Sequence, residues 1–92
     1  MINGNAREFI DGLYYGDERF LIFEGNKYFL QGYYVDGKPM LEMYVVENPA
    51  VDFAWRMVSN NSEYPVEEFE NAKIFNGKSF WEIEKEIEWI DC

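Results

Sequence analysis

The sequence predicts an α+β fold: a four-stranded antiparallel β-meander with an N-terminal helix and C-terminal helices packed on the sheet. Three observations lead there. Apolar residues recur at helical spacing near both ends of the chain, they alternate through the middle, and two-residue turns containing glycine join the alternating runs. The length of 92 residues fits a single domain spanning 1–92. With 48% hydrophobic residues, including 8 Phe, 7 Tyr and 3 Trp, the chain is too apolar for the disordered class despite a net charge of −10.

Ala6, Phe9, Ile10 and Leu13 fall on one helix face, with Asn3 or Asn5 as N-cap and Gly16 as terminator, so the spacing predicts a helix over residues 5–14. Runs 19–24 and 27–35 flank Gly25-Asn26, a two-residue hairpin signal. Asp36-Gly37 supplies a second, leading into 38–46. In Val51–Val58 the residues Val51, Phe53, Trp55 and Met57 alternate with Asp52, Ala54 and Arg56. That stretch has two readings: Asn48-Pro49 also resembles a helix start, but the clean alternation and the aromatic content favour a fourth strand.

The two bends fix the register, and the register sorts side chains onto two faces. With Gly25-Asn26 as the first bend, Phe23 opposes Tyr28 and Leu21 opposes Leu30. With Asp36-Gly37 as the second, Tyr33 opposes Met40 and Phe29 opposes Tyr44. One face collects Leu21, Phe23, Tyr28, Leu30, Gly32, Tyr34, Leu41, Met43 and Val45, and must be covered by the helices. The other collects Phe20, Ile22, Glu24, Lys27, Phe29, Gln31, Tyr33, Val35, Lys38, Met40, Glu42, Tyr44 and Val46. It is rich in aromatics, and the chain contains no threonine to solvate it. Cover is expected from the chain's own C-terminal segment first, or from a second copy or another partner. A bend displaced by one position, or outer rings with no neighbour, would count against an interaction role.

Ser59-Asn60-Asn61-Ser62-Glu63 reads as a loop, and Tyr64–Ala72 as a short helix with Pro65 in its first turn. Asn76-Gly77 is a turn. Ser79-Phe-Trp-Glu82 matches a capping box that opens a helix with Phe80, Ile83, Ile87 and Ile90 along one stripe. Glu86-Ile-Glu-Trp-Ile90 also alternates, so residues 87–91 have a second reading as an added strand. The C-terminal third, Phe69–Glu84 with the closing Ile87-Glu-Trp-Ile-Asp91, together with the Phe9-Ile10 … Gly16 opening and Lys27-Tyr-Phe-Leu-Gln-Gly32, resembles small acidic bacterial proteins of unknown function. The resemblance implies no activity.

Chemistry is constrained mainly by what the chain lacks. With no histidine and one cysteine, Cys92, Ser-His and Cys-His nucleophiles and zinc clusters are excluded. The glycines sit at turns rather than in a phosphate-binding loop, and the helical glutamates lack the alternation of a calcium loop. No enzyme activity, cofactor or metal is expected. No run approaches the ~20 apolar residues of a membrane span, and no secretory signal is visible, so a cytoplasmic protein without membrane contact is expected.

Charge is the strongest functional clue. Residues 60–92 hold nine acids against three lysines, and residues 1–59 nine acids against five bases. Such a field opposes binding to nucleic-acid phosphates and favours a basic protein surface. Two functions follow. In the first, the chain is a non-enzymatic protein-interaction module, or a homodimer, whose contact is the aromatic sheet face: Phe20, Ile22, Phe29, Tyr33, Met40 and Tyr44. In the second, Glu67, Glu68, Glu70, Glu82, Glu84, Glu86 and Glu88 imitate a nucleic-acid backbone in the basic groove of a partner, as antirestriction and anti-CRISPR inhibitors do. The first has the better prior, because many acidic proteins imitate nothing.

Overall fold

The computed structural model describes residues 1–46 and 53–90. The order of elements is α1 (Ala6–Leu13), β1 (Arg19–Phe23), β2 (Asn26–Val35), β3 (Lys38–Val45), β4 (Phe53–Val58), α2 (Val66–Asn71) and α3 (Phe80–Ile83). A single 3₁₀ turn over Glu84–Glu86 then leads into β5 (Glu88–Ile90). The fold is α+β, but its antiparallel sheet has five strands rather than four, in the order β4-β3-β2-β1-β5.

Helix α1 starts where the sequence places it. Asn5 caps it, its side-chain oxygen accepting from the Glu8 amide at 3.1 Å. The C-terminal end is where periodicity and structure part. The stripe predicted over Phe80, Ile83, Ile87 and Ile90 holds only for the first turn, and the chain becomes extended after Glu86. The reason lies in β1, whose outer edge would otherwise offer unpaired amides and carbonyls. As β5, the segment pairs Ile90 with Phe20 and Glu88 with Ile22. The same geometry sets Trp89 edge-on to Phe9 at 5.4 Å.

The second bend is as expected, with Val35 opposite Lys38 and Phe29 opposite Tyr44. The first is displaced by one position, the outcome that counts against an interaction role: Glu24 and Gly25 are its central residues, at φ 50° and 79°, and Phe23 opposes Asn26. Phe20 therefore faces Phe29 instead of Gln31, and the two rings meet at 4.6 Å. Aromatic cross-strand pairing and a left-handed pair with glycine second, the type I′ pattern, both favour this register. A displaced two-residue turn changes each partner by two, and strand side chains repeat every two, so the faces survive the shift. Only Glu24 changes its place, its carboxylate accepting from the Asn76 side chain in the helix layer. Because Glu24 occupies a conformation that favours Asn, Glu24→Asn is expected to raise stability by about 0.5 kcal/mol in urea denaturation, after loss of that exposed hydrogen bond.

The helices cover most of the face assigned to the core, although Tyr34, expected there, is 60% exposed. Leu21, Phe23, Leu30, Leu41 and Met43 are buried in one cluster with Phe9, Ile10 and Leu13 of α1, Val66 and Phe69 of α2, and Phe80 and Ile83 of α3. Residues 53–58 form a strand, as the alternation predicts, with Trp55 against Phe69 at 5.5 Å, but a register shift between Met43 and Tyr44 interrupts the alternation, so that Met43 opposes Trp55 and Tyr44 opposes Phe53. Val51 and Asp52 lie outside the described residues. No helix among those residues is long and apolar enough to cross a membrane.

Candidate interaction face

The opposite face is built from three strands in register. Phe20 of β1, Phe29 of β2 and Tyr44 of β3 are successive cross-strand partners, so their rings form one ladder across the sheet. Centroids lie 4.6 Å apart for Phe20–Phe29 and 5.4 Å for Phe29–Tyr44. With Val46 these rings line a shallow apolar concavity. Strand β5 extends the ladder by setting Ile90 opposite Phe20.

Polar rows flank the ladder on both sides. On one side Glu88, Ile22 and Lys27 succeed one another across β5, β1 and β2. The Lys27 ammonium lies 5.0 Å from the Phe20 ring centroid, a cation–π contact. On the other side Gln31, Glu42 and Arg56 are cross-strand partners on β2, β3 and β4. Glu42 is only 4% exposed. Its carboxylate accepts from Gln31 Nε2 at 2.7 Å and from the Tyr33 hydroxyl at 3.3 Å, with Arg56 Nε at 3.9 Å. These partners replace the water a buried carboxylate loses.

Burial and then the nearby Glu42 charge hold the Tyr33 phenol above its ordinary pKa. Tyr44 is raised likewise, by burial first and then by Glu42 and Glu18. Both therefore stay neutral across the physiological range, as hydrogen-bonding rings rather than anions.

All six residues expected at a contact stand on this face, but they are not equally open, and Met40, expected as a contact residue, offers no surface. Tyr33 is 38% exposed, whereas Phe29 is 8% exposed and Met40 fully buried, its sulfur 3.2 Å from Arg56 Nε. Phe20, Ile22 and Tyr44 are half-buried. Val46, Ile90 and Arg56 belong beside them. Sequence reasoning passed over Val46 as a contact, and reached Ile90 only through the alternation of residues 86–90.

The seven C-terminal carboxylates are spread over four elements instead of a single helix face. Glu67 and Glu68 are exposed on α2, and Glu70 accepts from Trp81 Nε1 at 2.6 Å. Glu82 caps α3, accepting from the Ser79 amide at 2.9 Å and hydroxyl at 3.0 Å, bonds that pull its carboxyl pKa down. Glu84 pairs with the Met1 amino group at 2.6 Å, Glu86 is exposed on the 3₁₀ turn, and Glu88 in β5 accepts from Asn3 at 2.7 Å. A separate small polar pocket lies where Tyr14 and Tyr64 meet Glu63, Glu67 and Glu68. Burial, then Glu70, Glu67 and Glu63, raise the Tyr14 phenol. Among the described residues no group of three or more Asp, Glu, His or Cys is arranged to hold a metal ion.

No protein-family model, curated protein or solved structure matches the chain.

Proposed function

We propose that this chain is a non-enzymatic protein-interaction module whose contact is the outer face of the sheet. The observation that carries the reading is the Phe20–Phe29–Tyr44 ladder and its concavity, on the face opposite the one where all three helices bury their apolar side chains. A buried central ring, Phe29, between the half-buried Phe20 and Tyr44, with charged groups on the flanks, is consistent with an apolar centre and polar rim of a binding patch.

Site-specific photocross-linking in the native cell tests it. A photoreactive residue in place of Tyr33 or Tyr44 should capture a protein, whereas the same residue in place of Tyr15, 83% exposed beyond the end of α1, should capture markedly less. Equal capture at all three positions would overturn the assignment of the face.

A further inference from the structure

We infer that the occupant of the outer sheet face is a second copy of this chain, the two sheets packing face to face. The inference rests on the interaction reading above and adds the identity of the partner. Its argument is electrostatic. Of the 18 carboxylates in the chain, only Glu42 and Glu88 stand on the described strands of this face, and of the 8 bases, Lys27, Lys38 and Arg56 do. With Glu18, whose charge acts on Tyr44 from the chain just before β1, the described part of this face carries three acids against three bases and is close to neutral.

A surface meant for a basic partner would hold the acidic excess where contact occurs. Here it holds none. A surface that meets itself has the opposite requirement, because any net charge on it is repeated by the copy. Along the flanks of the ladder Glu88 stands with Lys27 and Glu42 with Arg56, and the further Lys38 is offset by Glu18, so a second copy brings little net charge to the described part of the face. The acidic remainder then disfavours association through any other surface. Two antiparallel sheets stack at about 10 Å with interdigitating side chains, and half-buried rings such as Phe20 and Tyr44 are suited to that gap.

The inference predicts an uncommon salt response. Two bodies of charge −10 repel, and shortening the Debye length from about 14 Å to about 4 Å relieves that repulsion while leaving a neutral apolar contact intact. The test is sedimentation equilibrium of the full chain over a wide concentration range at low and high salt, with reductant so that Cys92 cannot link chains. The expected result is a reversible dimer that tightens by about threefold or more in high salt. Tyr44→Glu should weaken it by about a hundredfold while the far-UV spectrum is unchanged.

Because that variant could also perturb folding, amide NMR shifts of the unaltered protein on dilution give a second readout. Changes should centre on residues 20, 22, 29 and 44. A monomer under all conditions, a dimer weakened by salt, or dilution shifts centred on the helices would each overturn the inference. If the protein is monomeric yet photocross-linking at Tyr44 captures a different protein, the self-association fails and the interaction reading stands. If cross-linking at Tyr44 also gives no more than at Tyr15, both fail.

Discussion

Phe69→Ala is expected to cost about 3–5 kcal/mol, the largest loss from any single truncation in this core. Phe69 is fully buried, and its ring lies 5.5 Å from Trp55, 6.3 Å from Phe75 and 6.0 Å from Phe80. It therefore joins the sheet, α2 and the chain leading into α3. Helix α2 has six residues, too few to hold its hydrogen bonds unaided, so its place depends on the burial of Val66 and Phe69. A domain of this length commonly has about 5–14 kcal/mol in total, so the variant should lose a large part of it. Urea denaturation with an unchanged m-value would measure the difference, and Phe69→Leu should recover most of the loss by refilling the volume. A loss below about 1 kcal/mol would mean that the ring cluster does not anchor α2.

How much of this was legible beforehand depended on the range of the interaction involved. Asn5, Ser79 and Glu82 act on amides within three residues, and the sequence placed both helix starts correctly. The second hairpin was equally local, because an Asp-Gly pair matches the left-handed geometry of a type I′ turn without outside help. Gly25 was ambiguous, since glycine suits either central position of a tight turn. Pairing between Phe20 and Phe29, far from the bend itself, favours the register in which it comes second. The C-terminal strand was harder still. Ile83 and Ile87 satisfy helical spacing, and only the open edge of β1 and the contact of Trp89 with Phe9 explain why the chain straightens. The outer sheet face was legible as a set of residues because alternation alone defines it. Its near-neutral charge was obscured by placing Glu24 there and by leaving Arg56 and Glu88 unassigned between faces.

Gly32→Ala, an addition of one methyl group in the middle of β2, is expected to destabilise the fold by about 2 kcal/mol. In an unconstrained strand the same change would be favourable by about 0.5–1 kcal/mol, since alanine loses less backbone entropy than glycine. Here a Cβ on Gly32 would stand 2.6 Å from Tyr64 Cε1 and 3.1 Å from the Gly16 Cα. The obstructing atom is the edge of a ring, not the far end of a flexible chain. That ring is itself held edge-on to Tyr34 at 5.9 Å. A double-mutant cycle with Tyr64→Ala separates the causes. Without the ring, Gly32→Ala should cost less than about 0.5 kcal/mol, the remainder reflecting the approach of the Gly16 backbone. Gly16→Ala meets the same ring, its Cβ 2.8 Å from the Tyr64 hydroxyl, but its φ of +77° adds a cost of about 1–2 kcal/mol that should persist when Tyr64 is removed. Additivity of Gly32→Ala with Tyr64→Ala would show that the close approach of Tyr64 is not what reserves position 32 for glycine.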